Sequence, residues 1–439
     1  MCGIAGLIRQ DGAGAELAAT VAAMSAALAH RGPDHDGLWT DPAAGVGLGH
    51  RRLAIIDLSP AGQQPMLSPS GRLVLTCNGE IYNHRELRRT LEEEGERFRG
   101  DSDSEVLLAA IERWGLERTL GRVAGMFAFA LWDRRRRVLA LARDHLGVKP
   151  LYWSRHGREL AFASELRALC ARPGWTPTID RDALAAYARW NYVPAPHAIF
   201  EGVRKLRPGH LLTLDAAGRL EERPFWRLAE VVEAAAGERR NGAAEERIDE
   251  LRAMLDLVIR EQMLADVPLG ALLSGGIDST IVTALLQAHG SGPVRTFTIG
   301  YREPAFDEAP FARAVADHLG TEHHELMVGA DEARAVIPEL ATIYDEPFAD
   351  SSQIPSVLLA RFARRQVKVC LTGDGGDELF AGYERYHWAA AVRRWPYLLR
   401  RPLAPALRHL PVAYRDSERR GERNAKLAHQ QAARRDADL

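Results

Sequence analysis

Residues 1–8 of the chain read MCGIAGLI, which places a cysteine directly after the initiator methionine and a glycine directly after that cysteine. The small Cys2 side chain permits removal of Met1, which leaves a thiol and a free α-amino group on one residue. An α-amino group of pKa ~7.7–8.0 is a base at working pH, and a thiol of pKa ~8.5 is partly thiolate. The stretch therefore predicts a self-contained nucleophile at Cys2, with an ordinary buried cysteine as the alternative.

The bulk composition limits the classes of protein that the chain can represent. With about 100–200 residues in a typical domain, 439 residues predict two or three domains. The 57 basic and 59 acidic residues nearly balance, so charge gives no reason to expect nucleic acid or a membrane as partner. The sequence contains no secretion signal and no apolar run of the roughly 20 residues that a membrane span needs. We therefore expect a cytoplasmic enzyme whose substrates must be inferred from its sites.

The pattern of elements changes along the chain. The first half contains short strands with turn signals and a few helices, which is typical of an α+β domain. Residues 216–244 are rich in Ala, Glu, Arg and Gly and are expected to be a linker. From residue 245, helices alternate with short buried strands, which predicts a parallel sheet with helices on both faces. Ligands bind such sheets outside the carboxyl ends of their strands.

Three stretches of the first half contain candidate binding residues, each with a structural alternative. In LGHRRLAIIDL, Arg51 and Arg52 could clamp a carboxylate or form a surface ion pair. In CNGEIYNH, Asn78 and Gly79 could donate to an oxyanion or form a hairpin turn. In DSDSE, Asp103 could receive an α-ammonium group or cap a helix, and the cap is the favoured interpretation of that stretch alone.

These motifs belong to a longer ordered set: MCGIAG, RGPD, HRRLAIIDL, NGEIYNH, SDSE and RDHLGVKPLYW. Residues 2–215 resemble the glutaminase domain of class II glutamine amidotransferases, and within that group the asparagine synthetases. The resemblance implies a four-layer αββα N-terminal-nucleophile hydrolase fold, in which Cys2 attacks the glutamine amide and ammonia leaves. It also implies that Arg52 binds the substrate carboxylate, that Asn78 and Gly79 stabilise the oxyanion, and that Glu80 and Asp103 hold the amino group. The implied glutamine-binding residues are Arg52, Ile55, Ile56, Asn78, Gly79, Glu80 and Asp103.

Two glycine-rich loops stand out in the second half. LLSGGIDST has the order strand, loop, helix, so it predicts either a phosphate cradle at a helix N-terminus or a plain turn with a serine cap. It lacks the lysine of a Walker A loop. In LTGDGGDELFAGY, Asp374 and Asp377 lie in a glycine-rich turn, and two acids there suit Mg²⁺ with substrate phosphates. Capping of the next helix is the alternative for this loop.

The motifs VPLGALLSGGIDST, FTIGY, LGTEHHE, DEPFADSSQIP and LTGDGGDELFAGY resemble the ATP-pyrophosphatase domain of the same family. The resemblance implies an α/β parallel-sheet domain of the adenine nucleotide alpha hydrolase-like type over residues 245–439, with ATP and Mg²⁺ as cofactors. It places Asp374 near the acceptor as a catalytic residue, and Asp278 and Asp377 at the metal. The residues that it implies for ATP binding are Leu273, Ser274, Gly275, Gly276, Asp278, Ser279, Ile299, Thr372 and Gly373.

The resemblance implies a reaction with glutamine, aspartate and ATP as substrates. A carboxylate is a poor electrophile, so ATP first converts the aspartate side chain to an acyl adenylate, which ammonia then attacks. The family implies an enclosed path for ammonia, and a homodimer is left open. From His387 to Leu439 the motifs that continue the family's synthetase domain are absent, which predicts an incomplete second domain.

Two alternative functions stay open from the sequence. One is an amidotransferase that acts on another carboxylate in a polysaccharide or secondary-metabolite pathway. The other is a glutaminase remnant without synthetase activity.

Overall fold

The computed structural model describes residues 1–10, 16–237 and 243–387. The strands within these ranges are β1 Gly3–Arg9, β2 His35–Asp41, β3 Val46–Arg52, β4 Met66–Leu67, β5 Leu73–Ile81, β6 Gly125–Asp133, β7 Val138–Arg143, β8 Tyr152–His156, β9 Glu159–Ala163, β10 Val203–Lys205, β11 His210–Leu214, β12 Leu220–Pro224, β13 Leu269–Leu272, β14 Arg295–Tyr301, β15 Glu322–Val328 and β16 Val369–Leu371. The α-helices are α1 Leu17–Ala26, α2 His84–Glu93, α3 Asp103–Trp114, α4 Leu116–Leu120, α5 Leu166–Cys170, α6 Arg181–Trp190, α7 Leu228–Gly237, α8 Ala244–Gln262, α9 Ile277–His289, α10 Ala309–Leu319, α11 Ala330–Ile343, α12 Gln353–Ala363 and α13 Gly376–Phe380.

The first twelve strands form two antiparallel sheets of six strands each. The first sheet has the order β10-β8-β9-β1-β3-β2 and the second has the order β12-β11-β7-β6-β5-β4. Strand β1 lies inside the first sheet, paired with β3 on one side and β9 on the other. Its first residue, Gly3, pairs with Arg51, so Cys2 enters the fold at the end of β3. The sheet thereby holds the chain terminus next to the loop that follows β3.

The side chains of β1 explain why the two sheets stack. Ile4 and Ile8 point into a core shared by the two sheets, whereas Ala5 and Leu7 point into a core formed with the helices α1 and α5. Alternate residues of a strand face opposite sides, so a strand that is apolar on both faces needs a layer on each side. A third core packs the second sheet against α2 and α3. The layers follow the order helix, sheet, sheet, helix, which confirms the expected αββα fold.

Strands β13 to β16 form a separate parallel sheet with the order β15-β14-β13-β16. Ala271 of β13 packs with Leu286 of α9 on one face, and Leu272 packs against the cluster of Ala363 from α12 on the other. Helices therefore cover both faces, as the alternating pattern of the sequence predicts. In this arrangement the loops after β13, β14 and β16 meet at one edge of the sheet.

The chain between the two sheet systems contains more regular structure than a linker. Strand β12 adds to the edge of the second antiparallel sheet by pairing with β11, so that sheet continues past residue 215 to Pro224. Helix α7 follows with every residue exposed. The segment 388–439, which contains nearly all of the expected incomplete end, lies outside the described residues. Within the described ranges, every helix is too short or too polar to pass through a lipid bilayer.

Candidate functional site

A pocket opens where the chain terminus meets the ends of β3 and β5. It has about 330 Å³ of space, part of it open to solvent. The structure brings together here almost all of the residues that the resemblance implies for the first domain. The lining residues are Cys2, Arg52, Leu53, Ile55, Ile56, Gly62, Gln64, Cys77, Gly79, Glu80, Ser102, Asp103 and Ser104.

The Cys2 thiol faces this pocket beside the loop that follows β3. The backbone N–H of Leu53 lies 3.4 Å from Cys2 Sγ, and the Leu53 carbonyl oxygen lies 3.6 Å from it. Burial raises the pKa of the Cys2 thiol. The expectation of a partly ionised thiol is therefore wrong, because the desolvated site holds the proton on sulfur. A nucleophilic role for Cys2 needs a base close by.

The α-amino group is such a base. Burial lowers the pKa of the Met1 ammonium to about 6, so the amine is neutral at pH 7. The Met1 side chain is exposed, so its removal takes away little packing. Removal moves the amine to Cys2, on the residue that carries the thiol. The thiol and the amine then share one residue, which is the pair that base-assisted attack requires.

The two arginines of HRRL have different environments. Arg51 lies 3.9 Å from Asp36 at the sheet surface and donates to the Ser25 carbonyl. Arg52 is buried, and its guanidinium donates to the carbonyl oxygens of Ile56, Asp57 and Ser59. All three of these acceptors are backbone carbonyl oxygens rather than carboxylates. The guanidinium lies at the pocket wall, where it could also donate to the carboxylate of a bound substrate.

Asn78 and Gly79 lie inside strand β5, where they pair with Ala128 and Phe127 of β6. The hairpin-turn interpretation is wrong, because the strand runs without interruption from Leu73 to Ile81. Among the described residues, no hydrogen-bond acceptor lies within reach of the buried Nδ2 of Asn78. A buried amide donor left in this way is suited to a negative charge that forms only during a reaction.

Asp103 and Glu80 place two carboxyl groups at the pocket wall. Asp103 is the first residue of α3, but its side chain accepts hydrogen bonds from the backbone N–H groups of Ile81, at 2.8 Å, and Ser104, at 2.7 Å. The bond to Ile81 in β5 shows that Asp103 joins strand and helix, so simple capping of α3 is the wrong interpretation.

The ionisation of this carboxyl pair is strongly perturbed. Burial raises the pKa of Asp103, and burial followed by the Asp103 charge raises the pKa of Glu80 well above its usual range. Lys149 partly offsets this effect at Glu80, and burial in turn lowers the pKa of Lys149. An arriving ammonium group would favour the ionised form of both carboxyls.

The sequence motifs did not single out several residues that line the pocket. Gln64 is buried, and its side chain joins Cys77 to Ser104. Gly62 leaves the space that the Arg52 guanidinium occupies, since a Cβ at this position would overlap Nη2. Neither residue has a recognisable spacing signal, because each acts through contacts made between distant parts of the chain.

The two glycine-rich loops of the second domain lie side by side. They follow the neighbouring strands β13 and β16, which pair in parallel. Gly373 is so close to the first loop that a Cβ would lie 2.8 Å from the Ser279 nitrogen. Gly275 has φ +77°, a conformation that favours glycine, and a Cβ there would lie 2.8 Å from the Ala312 nitrogen. Gly373 thus lets the second loop approach the first, and Gly275 lets the first loop approach α10.

Asp278 and Asp377 lie near each other where the two loops meet. A Cβ on Gly376 would lie 2.5 Å from Asp278 Cγ, so Asp278 lies against the backbone next to Asp377. Burial raises the pKa of Asp278, and the charges of Asp377 and Glu378 raise it further. Among the described residues, no group of three or more His, Cys, Asp and Glu side chains forms a metal cage. Two carboxylates completed by phosphate oxygens are nevertheless a donor set that suits Mg²⁺.

The other implied residues of the second site lie around the same edge. Asp374 is exposed, and its Oδ2 accepts a hydrogen bond from the Thr372 hydroxyl at 3.0 Å. Ser274 and Ser279 lie with their hydroxyl oxygens 3.1 Å apart. Leu273 is buried against α10, whereas Ile299 in β14 is only half-buried. Backbone atoms of Leu273, rather than its side chain, are thus the part that could face a nucleotide.

Comparison with known proteins assigns families to both halves of the chain. The glutamine amidotransferase domain family matches residues 1–226, and the asparagine synthase family matches residues 250–438. A putative glutamine-hydrolysing asparagine synthetase of Mycobacterium tuberculosis is 39% identical over 435 residues, which covers 94% of this chain and 66% of that protein. Asparagine synthetase 1 of Bacillus subtilis is 35% identical, with 88% and 59% covered.

A further relative matches over more of its own length. Putative asparagine synthetase 2 of Methanocaldococcus jannaschii is 33% identical over 424 residues, which covers 91% of this chain and 79% of that protein. The chain spans 66% of the length of the mycobacterial relative and 59% of the length of the Bacillus one.

Proposed function

The chain belongs to the family of glutamine-hydrolysing asparagine synthetases, and we propose that it converts aspartate to asparagine with glutamine as nitrogen donor and ATP as activating substrate. The observation that carries the proposal is the first-domain pocket. It combines a thiol, an arginine and two carboxyls at one end of a β-sandwich. These groups match the amide, carboxylate and ammonium of a free amino acid with an amide side chain.

The proposed hydrolysis begins once Met1 is removed. Glutamine binds with its carboxylate on Arg52 and its ammonium group between Glu80 and Asp103. The Cys2 amine takes the thiol proton as sulfur attacks the amide carbon. The resulting oxyanion accepts hydrogen bonds from Asn78 Nδ2 and the Gly79 N–H. The amine then returns the proton to the leaving nitrogen, ammonia departs, and water cleaves the thioester to give glutamate.

The neutral state of both reacting groups supports this sequence. Burial raises the pKa of the Cys2 thiol, so the thiol is protonated before substrate binds. A protonated thiol reacts slowly with electrophiles other than the bound substrate. Burial lowers the pKa of the Met1 amine at the neighbouring position, and the same burial would favour a neutral Cys2 amine that can accept that proton. The proton transfer from the thiol to the amine creates a thiolate and an ammonium group on Cys2. In the proposed sequence this happens only after glutamine has filled the pocket and its own ammonium group has offset the charges of Glu80 and Asp103.

In the second domain, the aspartate side-chain carboxylate attacks the α-phosphorus of ATP and pyrophosphate leaves. Ammonia released in the first domain then attacks the acyl adenylate, which gives asparagine and AMP. Ser274, Gly275, Gly276 and Ser279 would cradle phosphate oxygens at the start of α9. Asp278 and Asp377 would hold Mg²⁺, which neutralises phosphate charge when bound. Asp374 would face the acceptor.

The test uses the 439-residue chain with glutamine, Mg-ATP and aspartate, and it measures glutamate, pyrophosphate and asparagine in one reaction. We expect the three products in nearly equal amounts. Glutamate alone would refute the synthetase half of the proposal. Pyrophosphate that forms only with a different carboxylate would refute aspartate as the acceptor. A chain that makes no glutamate from glutamine would refute the first-domain assignment.

A further inference from the structure

The loop that follows β3, residues 53–57, is bonded to the second domain at two points. The Asp266 carboxylate accepts a hydrogen bond from the Asp57 N–H at 2.7 Å, and the Asp266 N–H donates to the Ile55 carbonyl at 2.9 Å. Nearby, Lys368 Nζ lies 2.6 Å from Asp34 Oδ2. The same Asp34 oxygen accepts the Ala54 N–H at 2.8 Å. Two backbone donors of one loop thus depend on residues that the second domain holds.

This loop also contacts two residues that line the pocket, Arg52 and Cys2. The Arg52 guanidinium donates to the Asp57 and Ile56 carbonyl oxygens, and the Leu53 N–H contacts Cys2 Sγ. A shift of the loop would therefore move the arginine clamp, and it would change the distance between the clamp and the thiol. A bound substrate must reach the Arg52 guanidinium with its carboxylate and the Cys2 thiol with its amide, so its fit depends on that distance.

The first domain anchors the loop only in part. The Asp57 side chain accepts hydrogen bonds from the Ser59 and Asp101 N–H groups within its own domain. Its backbone N–H, however, has Asp266 as its acceptor. Asp57 and Ala54 are both buried, so neither donor can turn to bulk water without a rearrangement.

The second-domain residues are well placed to act as fixed points. Asp266 precedes β13 and Lys368 precedes β16, and these strands pair with each other. The Lys368 N–H also donates to the Pro268 carbonyl at 3.0 Å. Both contacts therefore lie at the amino ends of strands whose carboxyl ends lead into the loops that contain Gly275 and Gly373.

We propose that Asp266 and Lys368 are positioning residues for the amino-acid substrate of the first domain, so the second domain completes the pocket in which Cys2 reacts. This inference rests on the proposed function, since it takes glutamine as that substrate. The two residues do not touch the substrate. They act through the loop 53–57 and through Asp34.

The first experiment compares steady-state glutamine hydrolysis, without nucleotide, in Asp266→Ala, Asp266→Asn and Lys368→Met. We expect the KM for glutamine to rise about tenfold in Asp266→Ala, with kcat within about twofold, because the clamp moves while the nucleophile stays. Asp266→Asn keeps a carbonyl oxygen as acceptor and is expected to restore most of the affinity. Asp249→Ala, an exposed acid of the same domain, is the matched control.

A second readout separates positioning from general damage. Inactivation by 6-diazo-5-oxo-norleucine needs the amino-acid clamp and should slow in Asp266→Ala and Lys368→Met, whereas alkylation of Cys2 by iodoacetamide should not. Hydrogen exchange of residues 53–59 should accelerate in both variants, and this measurement needs no catalysis.

Unchanged KM and unchanged exchange in folded Asp266→Ala and Lys368→Met would overturn the inference while the proposed function stands. An equal rise of KM in Asp249→Ala would overturn it as well. If the parent chain hydrolyses no glutamine, the proposed function fails, and hydrogen exchange alone still decides whether the second domain holds the loop.

Discussion

The side-chain oxygen of Gln64 accepts a hydrogen bond from the backbone N–H of Cys77 at 2.6 Å. The amide nitrogen of the same side chain donates to the Ser104 hydroxyl at 3.2 Å. Cys77 precedes Asn78 in β5, and Ser104 follows Asp103 in α3. One buried amide therefore fixes the distance between the proposed oxyanion donor and the proposed acceptor of the substrate ammonium group.

Replacing Gln64 with leucine should reduce both stability and activity. The substitution leaves the buried Cys77 N–H without its acceptor, which typically costs about 1–3 kcal/mol of unfolding free energy. We expect kcat/KM for glutamine to fall about tenfold, because β5 and α3 lose the hydrogen bonds through which Gln64 connects them. Thermal denaturation and glutamate release measure the two effects. Gln63→Leu, at an exposed neighbouring position, is the control. An equal loss in that variant would contradict the role of the Gln64 side chain in connecting β5 to α3.

Replacing Cys2 with alanine should remove glutamine-dependent activity and spare synthesis from added ammonia. The variant lacks the proposed nucleophile, so glutamate formation should fall below about one thousandth of the parent rate. Pyrophosphate release with ammonium chloride and aspartate should stay near the parent rate, because the second site lies in another domain. Cys170→Ala, a half-buried cysteine on α5, serves as control. Loss of both activities in a folded Cys2→Ala protein would refute this division.

The pH dependence of glutamine hydrolysis should report the terminal amine. Burial lowers the pKa of the Met1 ammonium to about 6, so an amine in this environment becomes a base above that pH. The Cys2 amine of the processed chain lies next to this position, so we expect kcat to rise with pH around a midpoint below the ordinary α-amino value of about 8. Burial lowers the pKa of His50 to about 3, so this histidine does not titrate in the same range.

This profile is best measured in kcat rather than in kcat/KM. With glutamine bound, its ammonium group keeps Glu80 and Asp103 ionised, so their titration drops out of kcat. A chain with an uncleaved N-terminal extension is the control and should be inactive with glutamine. A midpoint close to the ordinary α-amino value of about 8 would contradict burial of the amine.

Replacing Gly62 with alanine should weaken glutamine binding with little change in folding. The new Cβ would overlap Arg52 Nη2, which is the far end of a flexible side chain, and would lie 3.1 Å from the Asp57 carbonyl oxygen, so the guanidinium shifts and the backbone adjusts only slightly. Disturbing a charged hydrogen-bonding clamp costs about 1.5–3 kcal/mol, which corresponds to a rise in KM of roughly ten- to a hundredfold. Gly292→Ala, where a Cβ meets nothing within 4 Å, is the control. An unchanged KM in Gly62→Ala would show that Arg52 does not hold the substrate.

Replacing Asp278 with asparagine should weaken Mg-ATP binding and leave glutamine hydrolysis intact. The substitution removes one of the two carboxylates that would hold the cation, so the Mg²⁺ dependence of ATP binding should shift to higher concentration by about tenfold. Calorimetry with Mg-ATP and with ATP alone separates the metal effect from nucleotide binding. A pyrophosphate rate equal to that of the parent would contradict the metal assignment.

The pattern of helices and short apolar strands predicted an α+β first half and a parallel sheet in the second half. The four-layer αββα order of the first domain was implied only by the resemblance to the family. The hairpin turn that was the alternative for Asn78 and Gly79 was wrong, because local propensity for a turn was overridden by pairing with β6 along the whole of β5. The cap predicted at Asp103 was incomplete for a related reason, since its carboxylate also accepts a hydrogen bond from Ile81 in β5.

The ionisation of Cys2 could not be predicted from its neighbours in sequence. Its pKa depends mainly on burial by residues that are distant in the chain. The bridge made by Gln64 and the space left by Gly62 are also products of tertiary packing. Only residues with a chemical role of their own were recognisable before the structure. Those that hold them in position were not.

The contact between the loop 53–57 and Asp266 has a consequence for a first domain released from the second by proteolysis. Such a fragment would keep its thiol, its amine and its sandwich core, but it would lose the acceptor of the buried Asp57 N–H. It would bind glutamine poorly at the concentrations at which the intact chain is saturated. Under the proposed function, proteolysis between the domains would thus limit the release of unused ammonia by the free first domain.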